Sequence, residues 1–232
     1  MALLDKYPAT LTAKAAEHLL RRTMFGATRA DITALTGRTI DQALDTLLQT
    51  RTAPTPPVDP ATGQTWVNDT ARSQNDGQYN NVMKAWWLGL MATSPISLTE
   101  KMTLFWHNHF VSSWSVVNDS RYMYKQNTLL RQNALGNFKT LVREISIDPA
   151  MLRYLNGNRN TAAAPQENFA RELQELFTIG KGPEISAGNY TTYTEQDVRA
   201  AARVLTGWTD NQTIFTSPCP RALQDSGMPP SA

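Results

Sequence analysis

Cysteine is almost missing from this chain: Cys219 is the only one. No disulfide can form within the chain, and zinc sites built on several cysteines are excluded. Long apolar runs are missing too, since no stretch approaches the ~20 residues a membrane span needs. The opening, MALLDKYPATLTAKAAEHLLRR, has no basic region followed by an apolar one. It reads as the mature sequence of a cytoplasmic protein, without a signal peptide. A strong charge of one sign is also lacking. The formal charge is +2, which gives no broad attraction for nucleic acid or an anionic membrane. No phosphate-cradling glycine loop, no G-x-S-x-G elbow and no H-E-x-x-H is present. Alternating strand patterns are absent as well, and the most strand-like run, Trp114–Val117, is too short to count.

The chain does carry enough apolar residues to build a core. Hydrophobic residues make up 41% of it and charged residues 18%, a composition that folds. Helix-start signals recur. Thr28 with Asp31, Thr39 with Gln42, Ser97 with Glu100 and Thr194 with Asp197 each set a capping side chain three residues before an acid or amide. Asp148 followed by Pro149 is a further start. Helices are predicted over about 10–24, 28–36, 40–50, 78–93, 98–113, 119–133, 137–146, 149–155, 165–179 and 195–206. The fold class is therefore all-α: an irregular multi-helix bundle with no significant sheet. Residues 1–208 are expected to form a single helical domain, interrupted by a Pro/Gly-rich loop over 51–78 in which Trp66 docks back on the body. Residues 181–193 read as a second loop. Residues 209–232 carry four prolines and no helical period, and are expected to be poorly ordered.

Two segments concentrate aromatic and ionisable side chains, a combination that is costly to bury without partners. In Leu98–Ser113, LTEKMTLFWHNHFVSS, the residues Leu98, Met102, Phe105, Trp106 and Phe110 form a helical apolar stripe. His109 lies within the stripe. His107 points to the other side, beside Leu104 and Val111, because residues two apart on a helix diverge by about 200°. The pair cannot chelate one ion from a regular helix. His109 is either a buried imidazole bonded to a carbonyl or carboxylate, or a metal ligand or general base.

In Gln166–Gly180, QENFARELQELFTIG, Glu167, Arg171 and Glu175 are spaced by four and form a charge ladder. Glu172 sits at the edge of the apolar stripe, near Asn168 and Glu175. Carboxylates and an amide on one face can bind a divalent cation or bond to a neighbouring helix. The catalytic candidates are thus His109 and Glu172. The candidate metal ligands are His109, Glu172, Glu175, Asn168 and His107, with a divalent metal or no cofactor at all as the two alternatives.

Several ordered stretches resemble a bacterial family, the domain of unknown function numbered 1800. They are His18-Leu19-Leu20-Arg21-Arg22 with Phe25-Gly26-Ala27-Thr28, the run Lys101–Phe110, Asn133–Phe138, Asp148–Leu152, Glu167–Leu173, Tyr193–Val198 and Leu205-Thr206-Gly207-Trp208. The resemblance runs from about residue 12 to Trp208 and implies a helical protein roughly twice this length. It also implies a gene neighbour encoding a sulfatase-like protein, and export in many members. His107, His109, Asn168, Arg171 and Glu172 match its signature, with no roles attached. Against that pattern, the tail after Trp208 reads as aberrant, and the chain as a truncated or frame-shifted product. Two functions follow. One is an interaction or structural protein working with a protein partner, for which the resemblance offers that sulfatase-like neighbour. The other is a metal-assisted hydrolase using a buried His/Glu centre. Nucleic-acid binding fits neither the charge nor any motif, and oligomeric state is left open.

Overall fold

The computed structural model describes residue 7, residues 9–210 and the backbone of residues 219–220. It is a mostly helical bundle. The helices are α1 (Ala13–Thr23), α2 (Arg29–Leu35), α3 (Ile40–Leu48), α4 (Asp76–Thr93), α5 (Thr99–His109), α6 (Trp114–Val117), α7 (Ser120–Gln132), α8 (Phe138–Ser146), α9 (Pro149–Tyr154), α10 (Glu167–Glu172) and α11 (Glu195–Val204). Helix α10 runs on into a π-helical turn, Leu173–Phe177. Sheet is minimal. Strands β1 (Glu184–Ser186) and β2 (Asn189–Tyr190) form a small hairpin inside the 181–193 loop, and β3 (Trp208–Thr209) pairs with β4 (Cys219–Pro220). No helix among the described residues is long and apolar enough to cross a membrane.

Local chemistry explains most of the starts. Full capping boxes form at Thr28 with Asp31, Thr39 with Gln42 and Thr194 with Asp197. Asp148 caps α9 by accepting from Met151 N, with Pro149 at the first helical position. Replacing Thr194 by alanine should cost about 1 kcal/mol, read as faster amide exchange in the first turn of α11. Unchanged exchange there would mean that the cap is idle.

Ser97 and Glu100 depart from the predicted box. Ser97 Oγ accepts from Thr99 N at 3.2 Å, and Glu100 turns inward to pair with Arg131. The strand-like run Trp114–Val117 is instead one helical turn, closed by Asn118 in the left-handed region at φ 52°. The expected disorder of 209–232 falls almost wholly outside the described residues.

The core comes in adjoining parts. Helices α1 to α3 bury Leu20, Leu35 and Leu47 with Ile96. Helices α4, α6, α7 and α9 enclose Trp66, Tyr122 and Ala150. Trp66, from the long 51–78 segment, stacks on Tyr79 at 4.3 Å and donates through Nε1 to Ser120 Oγ at 2.9 Å. Phe110, Leu130, Leu141, Ile145, Phe169 and Phe177 join α5, α7, α8 and α10. Helix α7 is the axis of this arrangement. Its buried positions include Ser120, Arg121, Gln126 and Asn127 as well as Tyr122 and Leu130. An interior helix with so polar a buried side must find partners for each group.

Candidate functional site

Helix α5 is oriented by its polar residues. Its fully enclosed positions are Glu100 and Thr103, while Phe105, placed in the core by the apolar stripe, is 53% exposed. The reason is a partner 31 residues away. Arg131 on α7 donates Nε and Nη2 to the two Glu100 oxygens at 2.7 and 3.0 Å. Trp87 Nε1 adds a third bond to Glu100 at 2.9 Å, and Arg131 Nη1 reaches Asn127 Oδ1 at 2.7 Å. A two-pronged, almost wholly buried pair of this kind fixes rotation and register between helices. Beside it opens a cleft of about 700 Å³, walled by Tyr124, Thr128, Arg51 and Pro54.

His109 is half-buried, and its Nε2 lies 2.9 Å from the Phe177 carbonyl oxygen. A carbonyl only accepts, so Nε2 carries the hydrogen and donates. That leaves Nδ1 as the sole nitrogen able to bind a metal or take a proton. The imidazole is ringed by Phe105, Trp106, Phe110, Phe138 and Phe177, with centroids between 4.7 and 6.5 Å away. Phe177 is the last residue of the π-helical turn, and the final carbonyls of a helix have no intrahelical donor, so this one is open to the imidazole. Removing the imidazole by His109→Ala should lower stability by about 1–3 kcal/mol, for one hydrogen bond and several ring contacts. A urea-unfolding midpoint equal to the parent's would discard this packing role.

His107 stands elsewhere. It meets Trp87 edge-on at 5.3 Å, its Nδ1 is buried without a hydrogen-bond partner, and burial holds its pKa below the ordinary value. Glu172 is half-buried, and no hydrogen bond or ion pair joins its side chain to another described residue. Asn168 is exposed. Glu175 accepts from Tyr193 Oη at 2.8 Å and lies 3.1 Å from Lys181 Nζ. The Tyr193 hydroxyl, then the Lys181 ammonium, hold its carboxyl below the usual range.

Arg171 meets Glu167 at 3.2 Å, the first rung of the expected ladder, but its shorter bonds go to Glu195 on α11, at 2.5 and 2.9 Å. That bond chiefly raises its pKa. The five candidate ligands are therefore not gathered at one point. Among the described residues no group of three or more His, Cys, Asp or Glu side chains is placed to hold a metal ion.

The strongest polar constellations lie where no motif pointed. Asp119, fully buried, caps α7 and grips Arg121 through both oxygens at 3.0 and 2.7 Å. Asp76, at the start of α4, accepts from Ser120 N, Ser120 Oγ and Trp114 Nε1 at 2.7–2.9 Å. Arg153 bonds Asp210 at 2.6 Å and Val117 O at 3.0 Å. The Arg153 guanidinium stands 4.5 Å over the Tyr122 ring. Asp, Arg and Asn recur in 117–127 and 148–160, but such residues are equally ordinary on solvent-facing helices. Nothing local in them named the pairs.

These features define a helical scaffold: buried charges paired between helices, and an aromatic face round one histidine. The chain belongs to the family described as protein of unknown function (DUF1800), whose model matches residues 18–227. The match continues past Trp208, through most of the tail that had read as aberrant. No curated protein and no solved structure matches the chain.

Proposed function

We propose that this protein is a helical interaction protein, and that the face centred on His109 receives a protein partner. The observation that carries the reading is the exposure of large apolar side chains on that face. Phe105 and Phe138 lean on the imidazole while 53% and 41% exposed, and Leu176 and Ile179, close to Phe177, are 61% and 55% exposed. Aromatic residues with little charge are the composition of interface centres. The family resemblance suggests the class of partner, a sulfatase-like protein. A metal-assisted hydrolase has less support, since His109 Nε2 is committed to a backbone carbonyl and Glu172 makes no bond to it.

The test is co-expression of tagged chain with the sulfatase-like protein, followed by native purification. Retention of the partner, and its loss on Phe105→Ser with Phe138→Ser at unchanged helix content, is the expected result. A chain that purifies alone and strictly monomeric would overturn the reading.

A further inference from the structure

A second surface, remote in sequence from the His109 face, carries a separate reading. Helix α1 and the start of α3 flank a groove of about 500 Å³. Its apolar lining is Tyr7, Leu11, Ala15, Leu19 and Ile40. Along one edge stand Lys14, His18 and Arg22, all exposed. Lys14, His18 and Arg22 repeat every fourth residue on α1, so that row rises about 6 Å per step and spans about 12 Å.

Helix α1 has one acid, Glu17, and it binds Arg21 at 2.6 Å, away from the groove. No hydrogen bond or ion pair joins the side chain of Lys14, His18 or Arg22 to another described residue. The side of α1 that carries Lys14 and Arg22, without an ion-pair partner among the described residues, is thus the side that borders its apolar groove.

We infer that this groove docks an acidic amphipathic helix of a partner protein. The periodicity selects that occupant. Acids four residues apart on a helix rise by the same 6 Å, so they meet Lys14, His18 and Arg22 one to one. Apolar residues beside those acids then pack over half-buried Ala15 and Leu19, as in other helix-in-groove complexes.

A small anion is a poorer fit. The charged groups are exposed at the rim, so such an ion keeps its water and gains little. A bilayer surface fits poorly as well. The apolar side chains line a groove of about 500 Å³, which a broad surface does not enter.

The test uses the full chain and a fluorescein-labelled synthetic helix, with leucines along one side and glutamates at every fourth position beside them. Fluorescence anisotropy should show saturable binding, weakened by raised salt. Affinity should fall at least tenfold in the doubly reversed variant Lys14→Glu with Arg22→Glu, whose helix content and melting temperature stay those of the parent. The same peptide with lysines for glutamates should not bind. Ala15→Arg, which blocks the apolar lining while adding positive charge, should also abolish binding; pure charge attraction would instead strengthen it.

Absence of binding, or equal binding to the charge-reversed variant, overturns the proposal. So does capture by phosphatidylglycerol vesicles without peptide binding, which would make the surface a membrane contact. Self-association lost in the reversed variant would assign the groove to a second copy. Peptide binding seen only after removal of residues 1–8 would assign it to the chain's own start. None of these outcomes bears on the His109 face, so the two readings fail independently.

Discussion

Replacing Asp119 by alanine is expected to cost about 3–5 kcal/mol, a large share of the stability of any domain. Two losses coincide. The carboxylate accepts the Arg121 N–H at the N-terminus of α7, a cap worth about 1 kcal/mol. It also neutralises the Arg121 guanidinium, whose side chain is 1% exposed. Without it, a buried cation keeps its Asp69 carbonyl bond at 2.8 Å but loses its counter-charge. Arg153, 3.9 Å from the same carboxylate, is destabilised as well. Asp119→Asn keeps the cap and removes the charge, so it should fall between parent and alanine. Urea unfolding checks the series through the midpoint at constant slope. An alanine variant within 1 kcal/mol of the parent would show that solvent reaches Arg121, contrary to its burial.

How much of this was legible follows from how far each cause reaches along the chain. The boxes at Thr28, Thr39 and Thr194 are closed within four residues, and the N-cap Asp148 with Pro149 is equally local. Chain chemistry alone therefore places those helices. Glu100 shows the opposite case. Three residues after Ser97 it satisfies the same local pattern, yet Arg131 and Trp87 offer it more than a helix terminus can. That distant pairing turns α5 so that polar Glu100 and Thr103 are enclosed and Phe105 is not. An apolar stripe could identify the helix but not its rotation.

The same limit explains the candidate site. Spacing separated His107 from His109, which helical geometry alone decides. The partner His109 does bond, the Phe177 carbonyl oxygen, ends a π-helical turn at Leu173–Phe177. Such a turn has no sequence signal comparable to a capping box, because it depends on what packs against the helix end.

The stability contributed by Asp148 should fall as pH rises from about 4 to about 7, and Asp148→Asn should remove that contribution. Asp148 is buried, and burial pushes its carboxyl up to about 7. Oδ1 accepts from Met151 N at 3.0 Å, while Oδ2 has no completed hydrogen bond. The Ala150 N–H and Gln126 amide approach, and the Lys125 charge opposes the shift, without outweighing burial. Gln126 Nε2 is itself left unpaired, its Oε1 accepting from Ser112 Oγ.

The sign follows from proton binding. Between the ordinary carboxyl value and about 7 the native protein holds a proton that the unfolded chain has released, so raising pH favours unfolding. The contribution is complete below about 4 and is lost as pH passes through about 7. A carboxyl carried from 3.8 to about 7 corresponds to roughly 4 kcal/mol, an upper figure for this group. Asparagine caps a helix as well as aspartate does and is neutral at every pH, so it imitates the protonated native state. The stability difference between Asp148→Asn and parent should therefore be small at pH 4 and grow in favour of the variant by pH 8. Lowered carboxyls such as Glu175 and Glu195 act in both proteins and cancel in that difference. Parallel stability curves for the two proteins between pH 4 and pH 8 would mean that Asp148 is ionised and solvated in the native state, and the buried-carboxyl account would fall.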